Sequence, residues 1–375
     1  MFLTDEERKL TIQGCRFCPM CFHADAVAGI TCKESHSPRG RGLILFGLEN
    51  GVLKWDDPAV ADVLYKSFTD GLPQEWCAGH YDHDELVIDA RHRLVDKGLA
   101  PAEVAQAAAR TVASGSPYAE VPSAMGELLE KSGTTVTPGA ELLVFAGCAA
   151  RSLYPLSPIA FLKILKARGV PFNLLDPEPC CGMTLYQLGD FSHAAEQAKA
   201  VAQRIAESGA REIVLLDPDC FRMFTTRFAR FGAQLPGGMK VSHVSEWLYR
   251  GMEVERWRLK KRGESFTYHD PSSLARFTGL HDPARAVLSS IFDQPPREML
   301  GNRAKAFCGG EGGGMVLTNP EIAREVAARR YEQAGTTGAD LLITSSPASA
   351  GLLAQVKTGG PIVKDLVEVV EESLR

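Results

Sequence analysis

Apolar residues recur at helical spacing through Leu86–Val95, and an alanine-rich helical stretch follows over Val104–Val112. From residue 138 the pattern changes. Glu141-Leu-Leu-Val-Phe-Ala-Gly147-Cys148 is a short unbroken apolar run, as expected of a strand covered on both faces, and it ends on a thiol. Ile159–Arg168 is amphipathic and helical. Pro171–Asp176 is the next strand and leads into Pro179-Cys180-Cys181-Gly182. Ala194–Ser208 is a helix, and Ile213-Val-Leu-Leu-Asp217 is a strand running into Pro218-Asp219-Cys220. Lys240–Val244 and the helical stretch after it complete the unit. Alternating strands and helices predict a parallel sheet with covering helices.

The unit then repeats. Ser265-Phe-Thr-Tyr-His269-Asp270-Pro271 stands in the place of Val144–Cys148. Phe307-Cys308-Gly309 matches Cys180-Cys181-Gly182, and the segment from Leu341 to Ser349 matches Leu215–Met223. Pro361–Leu374 adds a strand and a helix, as Val241–Trp247 does. On this register the first unit reads Cys148, Cys180, Cys181, Cys220 and Met223, and the second reads Ser272, Phe307, Cys308, Ser346 and Ser349. Strands of one parallel sheet end on one edge, so the four thiols of the first unit are expected to converge there.

Composition narrows the class. The chain has 375 residues, 45% hydrophobic and 23% charged, which fits two or three globular domains with ample core. A net charge of −5 gives no reason to invoke nucleic acid or an anionic membrane surface. The N-terminal MFLTDEERKL has no apolar signal region, and no apolar run approaches the roughly 18 residues of a spanning helix. Ten cysteines in that context point to a reducing, cytoplasmic setting and to metal rather than disulfides.

The N-terminal thiols carry the sharpest pattern. Cys15-Arg-Phe-Cys18-Pro-Met-Cys21 has the C-x2-C-x2-C spacing that wraps a [4Fe–4S] cube, each thiolate on a different iron. In the bacterial ferredoxin run a fourth cysteine serves the other cluster. That place is Asp25 here. The same run laid over Ser67, Asp70, Pro73 and Cys77 keeps only its last thiol. The four places of one cluster survive as Cys15, Cys18, Cys21 and Cys77, whereas all four of the other, Asp25, Ser67, Asp70 and Pro73, are lost. One [4Fe–4S] cluster in a halved ferredoxin-like head is the reading. Zinc held with His23 or Cys32 competes with it, as does Cys32 replacing Cys77. Arg39 and Arg41, in the turn Pro38-Arg-Gly-Arg-Gly42, are candidates to lie against the cluster or a partner; the alternative is a solvated turn.

The tandem modules of C, CC and C-x2-C resemble the cysteine-rich CCG domains of the heterodisulfide reductase family. The whole layout, ferredoxin-like head, Pro-Arg-Gly-Arg turn and two modules, resembles the glycolate oxidase iron–sulfur subunit family. His269-Asp-Pro, Cys308-Gly-Gly-x-Gly-Gly-Gly and Thr344-Ser-x-Pro-Ala look like landmarks of that family. Its full module has five cysteines; here Met223, a weak soft donor, holds the fifth place. Four thiols, Cys148, Cys180, Cys181 and Cys220, still suffice for a second [4Fe–4S] cluster; the bland alternative is buried free thiols. Cys308 alone reads as structural or as an extra ligand across the pseudo-twofold. The Gly309–Gly314 loop lacks the Lys-Ser/Thr of a phosphate cradle.

The expected fold is therefore α+β and multidomain. A small, mostly helical ferredoxin-like head over 1–115 precedes a first CCG module over 138–255 and a second, degenerate one over 263–375, with a linker near Gly115–Pro122. No acid–base or nucleophile motif stands outside the thiols. The resemblance implies an electron-transfer subunit, working with a flavin-containing dehydrogenase and an electron-transfer flavoprotein or quinone acceptor, the flavin being carried by the partner chain. A disulfide reductase acting at the modules and a structural scaffold are the alternatives.

Overall fold

A computed structural model describes residues 3–374; Met1, Phe2 and Arg375, the outermost residues of the first and last expected segments, lie outside the described residues. Residues 3–115 are mostly helical. Asp5–Gly14, Ala26–Thr31, Pro38–Glu49, Pro58–Tyr65, Leu72–Glu75, His83–Asp96 and Ala102–Ser114 follow one another, each started by a cap or proline signal. Thr4 and Glu7 form a capping box on the first helix, and Asp25, Ser37, Asp57 and Asp82 accept backbone N–H groups at four others. The segment 38–42, expected as a turn, is the first turn of Pro38–Glu49: proline suits a helix's first positions, where no N–H is needed.

The rest of the chain is α/β. Strands β1 (Leu142–Phe145), β2 (Asn173–Leu174), β3 (Glu212–Leu215) and β4 (Lys240–His243) form a parallel four-stranded sheet in the order β2-β1-β3-β4. Strands β5 (Phe266–His269), β6 (Leu341–Thr344) and β7 (Ile362–Asp365) form a parallel three-stranded sheet in the order β5-β6-β7. Side chains alternate between faces with a period of two. Leu143, Phe145, Ile213 and Leu215 enter a core shared with Leu64, Leu86 and Ile88 of the head helices. Leu142, Val144 and Val214 face a second core, shared with Phe266, Tyr268, Leu341 and Ile343 of the other sheet. The two sheets are thus buried against common cores, as continuous apolar strands require.

The repeat is real, but its register differs from the sequence reading. Leu142 pairs with Glu212 as Phe266 pairs with Leu341. Each central strand is followed by a capped proline helix, Asp217 before Pro218 and Ser346 before Pro347. Cys220 therefore corresponds to Ser349, and Asp217 to Ser346. The middle loop shifts by one residue too. Gly182 N–H donates to Cys180 Sγ at 3.4 Å, and Gly310 N–H donates to Cys308 Sγ at 3.3 Å. A Cβ on Gly182 would press on the Ala194 carbonyl, and one on Gly310 on the Ala323 carbonyl. Cys308 thus stands in the place of Cys180, with Gly309 in that of Cys181. Sequence spacing missed this because the connections between strands differ in length.

Candidate metal centre

Each thiol of the first module sits just beyond a strand's C-terminal end. Cys148 opens the helix Cys148–Leu153 after β1, Cys180 and Cys181 follow β2, and Cys220 lies in the helix Pro218–Arg222 after β3. The expected convergence is present. Cys148 Sγ lies 3.6 Å from Cys180 Sγ, and Cys181 and Cys220 stand close enough to act on the titration of their neighbours. All four are buried, at 0–5% exposure. The Cys148 thiol is pushed well above the ordinary range by its bond to Cys180 and by burial. At Cys220 the bond from Cys181 acts the other way, but burial and the Asp217 carboxylate outweigh it. Thiols so placed keep their protons until a metal displaces them.

Gly147 shows how closely the loops approach. Its φ is +88°, and a Cβ there would lie 3.1 Å from Asp217 Cβ and 3.2 Å from Cys220 Sγ. Met223, in the fifth place, is fully buried in an apolar core that also contains Cys181, Cys220, Phe224 and Phe228. Asp217 is the polar group at the thiols. It caps the Cys220 helix by accepting from Asp219 and Cys220 N–H, and its charge raises both Cys148 and Cys220. Burial and Asp219 push Asp217 itself up to about 7. The motif of a strand, then Asp-Pro, then Ser-Pro in the same place of the repeat, would have identified this capping position from sequence.

In the head, Cys18 is exposed, Cys15 and Cys77 are half-buried, and Cys21 is buried. Electrostatic coupling links Cys15 to Cys77 and Cys18, and Cys21 to Cys15 and Cys77. Burial pushes Cys21 up to about 11, against the backbone N–H of Arg39, which donates to its sulfur. Arg39 also pairs with Glu34 at 2.7 Å and reaches the Phe17 carbonyl at 3.4 Å, between Cys15 and Cys18. His23 lies edge-on against Trp76, with ring centroids 4.6 Å apart, and Cys32 is exposed at a left-handed helix C-cap.

Arg41 lies elsewhere: it is buried in the region that the lost cysteines define, where it pairs with Asp25 and donates to the Lys66 carbonyl at 2.9 Å. Asp70 pairs with Arg276 of the second module at 3.1 Å. Arg91, fully buried, donates to the carbonyls of Leu64, Ser67, Gln187 and Gly313 at 2.7–2.9 Å. Charged side chains and carbonyls, satisfied by one another, occupy this region.

The thiol sets suit a cluster chemically: soft donors only, buried in the first module and close to the surface in the head. Among the described residues, no group of three or more His, Cys, Asp or Glu closes around one point as a lone metal ion would require. No helix among them is long and apolar enough to cross a membrane.

Comparison with known proteins agrees with this architecture. Residues 142–225 and 266–349 each match the family model described as Cysteine-rich domain, CCG. The chain is 31% identical over 247 residues to one subunit of the dihydromethanophenazine:CoB–CoM heterodisulfide reductase of Methanosarcina mazei, covering 63% of this chain and 59% of that one. It is 27% identical over 225 residues to the probable iron-sulfur-binding oxidoreductase FadF of Bacillus subtilis, covering 58% and 31%. The chain spans only 52–59% of the length of the heterodisulfide reductase relatives it matches. A crystal structure of a hypothetical protein from Helicobacter pylori shares the fold, with a TM-score of 0.55 at 12% identity, over 100% of this chain and 73% of that one. Each matched segment runs from the first strand of one parallel sheet into the helix after its central strand, and the chain carries two cysteine-rich CCG domains in tandem.

Proposed function

We propose that this chain is an iron–sulfur electron-transfer subunit of a cytoplasmic oxidoreductase complex. The observation that carries the reading is the convergence of Cys148, Cys180, Cys181 and Cys220, all buried, at one sheet edge, with Cys148 and Cys180 in direct contact. These four would hold one [4Fe–4S] cluster, and Cys15, Cys18, Cys21 and Cys77 another. Bound clusters of this kind supply one-electron transfer. The protein's own part is to deliver thiolates, exclude water in the first module and leave the head set near the surface at Cys18. The Arg39 N–H on Cys21 and the Gly182 N–H on Cys180 stabilise negative charge on sulfur, a lever on potential. The resemblance of the layout to the glycolate oxidase iron–sulfur subunit family favours a flavin-containing dehydrogenase of a small molecule as partner, with an electron-transfer flavoprotein or quinone as the other redox partner; relatives named as a reductase subunit and an oxidoreductase support a place in a redox complex.

Iron and acid-labile sulfide per chain, measured anaerobically with EPR after dithionite, test this. Two clusters' worth is expected. Cys18→Ala should abolish turnover with the acceptor while the partner's flavin is still reduced by substrate. Near-zero iron, or turnover surviving that substitution, would sink the reading.

The relatives named heterodisulfide reductase favour a second reading, disulfide reduction at the modules. Against it, the second module keeps one thiol, Cys308, in a loop otherwise of glycine, glutamate and serine partners. Disulfide turnover by the purified chain would decide for it.

A further inference from the structure

We propose that Glu178 and Arg151 are a positioning pair that locks two of the thiol loops of the first module together; this rests on reading that edge as the cluster site. Glu178 lies two residues before Cys180, and its carboxylate accepts the N–H of Ala146 and the N–H of Gly147, both at 2.8 Å. Those are the last residues before Cys148. Arg151, one helical turn beyond Cys148, donates to the Glu178 carbonyl at 2.8 Å, and its Nε lies 3.4 Å from the carboxylate. Both side chains are buried, at 1% and 4% exposure. A buried carboxylate is costly unless it is satisfied, and here two backbone N–H groups hydrogen-bond it and the Arg151 guanidinium stands beside it as counter-charge.

The second module supplies the control. In its register Ala306 stands in the place of Glu178, Ala275 in that of Arg151, and Pro271, which has no N–H to give, in that of Gly147. Its nearest arginine, Arg276, still reaches the Ala306 carbonyl at 2.6 Å but pairs its charge with Asp70 of the head. The module with four converging thiols has the carboxylate clamp; the module without them has alanine at both places. The clamp fixes the spacing of Cys148 from Cys180 and Cys181, and its local field acts on whatever those thiolates bind.

Glu178→Ala and Glu178→Gln in the full chain test it. In metal-free protein, Cys148, Cys180 and Cys181 of the alanine variant should be alkylated about tenfold faster than in the parent, mapped by mass spectrometry, with Cys308 unchanged. In reconstituted protein, iron affinity at this site should fall about ten- to a hundred-fold while the head signal persists. The glutamine variant keeps an acceptor but removes a negative charge, so its first-module cluster should titrate at a more positive potential. Unchanged alkylation in the alanine variant overturns the clamp, and so does an unchanged potential in the glutamine variant if the alanine one does not fold. A parent protein without first-module iron would instead overturn the cluster reading, leaving the alkylation comparison to judge the clamp by itself.

Discussion

The two modules share a skeleton and differ in what sits on it. Both pair their first and central strands in the same register, both cap the helix after the central strand before a proline, and both close with a capping box, His243 with Glu246 and Asp365 with Glu368. At the sheet edge one presents Cys148, Cys180, Cys181 and Cys220. The other presents Ser272, Cys308, Gly309 and Ser349, with Ser349 donating to Glu311 at 2.7 Å. Backbone pairing and apolar cores therefore specify the edge without help from the thiols. Donor side chains can be exchanged there for hydroxyls and ion pairs while the strands stay where they are. The head makes the same point: Asp25 and Asp70, at two places where a ferredoxin run has cysteine, pair with Arg41 and Arg276.

The asymmetry between the modules is broken most severely by exchanging a thiol. Cys180→Ser should remove one cluster's worth of iron, whereas Cys308→Ser, at the matching place, should leave the iron count unchanged; equal losses would refute the asymmetry. Next comes the arginine that joins the head to both modules. Arg91→Met strands four buried carbonyls and should lower unfolding free energy by about 3 kcal/mol or more, read from urea denaturation. Gly147→Ala forces an unfavourable φ and crowds Asp217 and Cys220. It should cost about 1–3 kcal/mol and weaken iron binding at the first module only, followed by melting and EPR.

A last effect concerns pH. Burial, then Asp70 and Asp82, push Asp84 up to about 7. The folded chain holds this proton more tightly than the unfolded one, whose value is 3.8. Its contribution to stability is therefore full below about pH 4 and is lost as pH rises through about 7. Asp84→Asn should flatten that slope in melting curves between those values.

Much of this was legible in the chain. The apolar runs before Cys148 and after Glu212 named strands because a parallel strand must be apolar on both faces, and thiols placed after strands converge because parallel strands end on one side. The register of the repeat was not legible. Four extra residues before the middle loop of the second module and one after it shift the thiol places, and only backbone pairing and matching glycine contacts reveal the shift. Asp217 caps its own helix, a local motif, whereas Glu178 holds its place through bonds to backbone groups of a neighbouring loop, and composition carries no trace of that.

Local spacing, and the tendency of apolar side chains to leave water, were enough to set the element types, the duplication and the two thiol sets. Packing in three dimensions was needed to choose which carboxylates stand beside the thiols, how Arg41, Arg91 and Arg276 satisfy buried carboxylates and carbonyls, and which loops are tied together. Those outcomes depend on satisfying buried charges and carbonyls across segments as far apart as Arg91 and Gly313, and no local pattern encodes such a pairing.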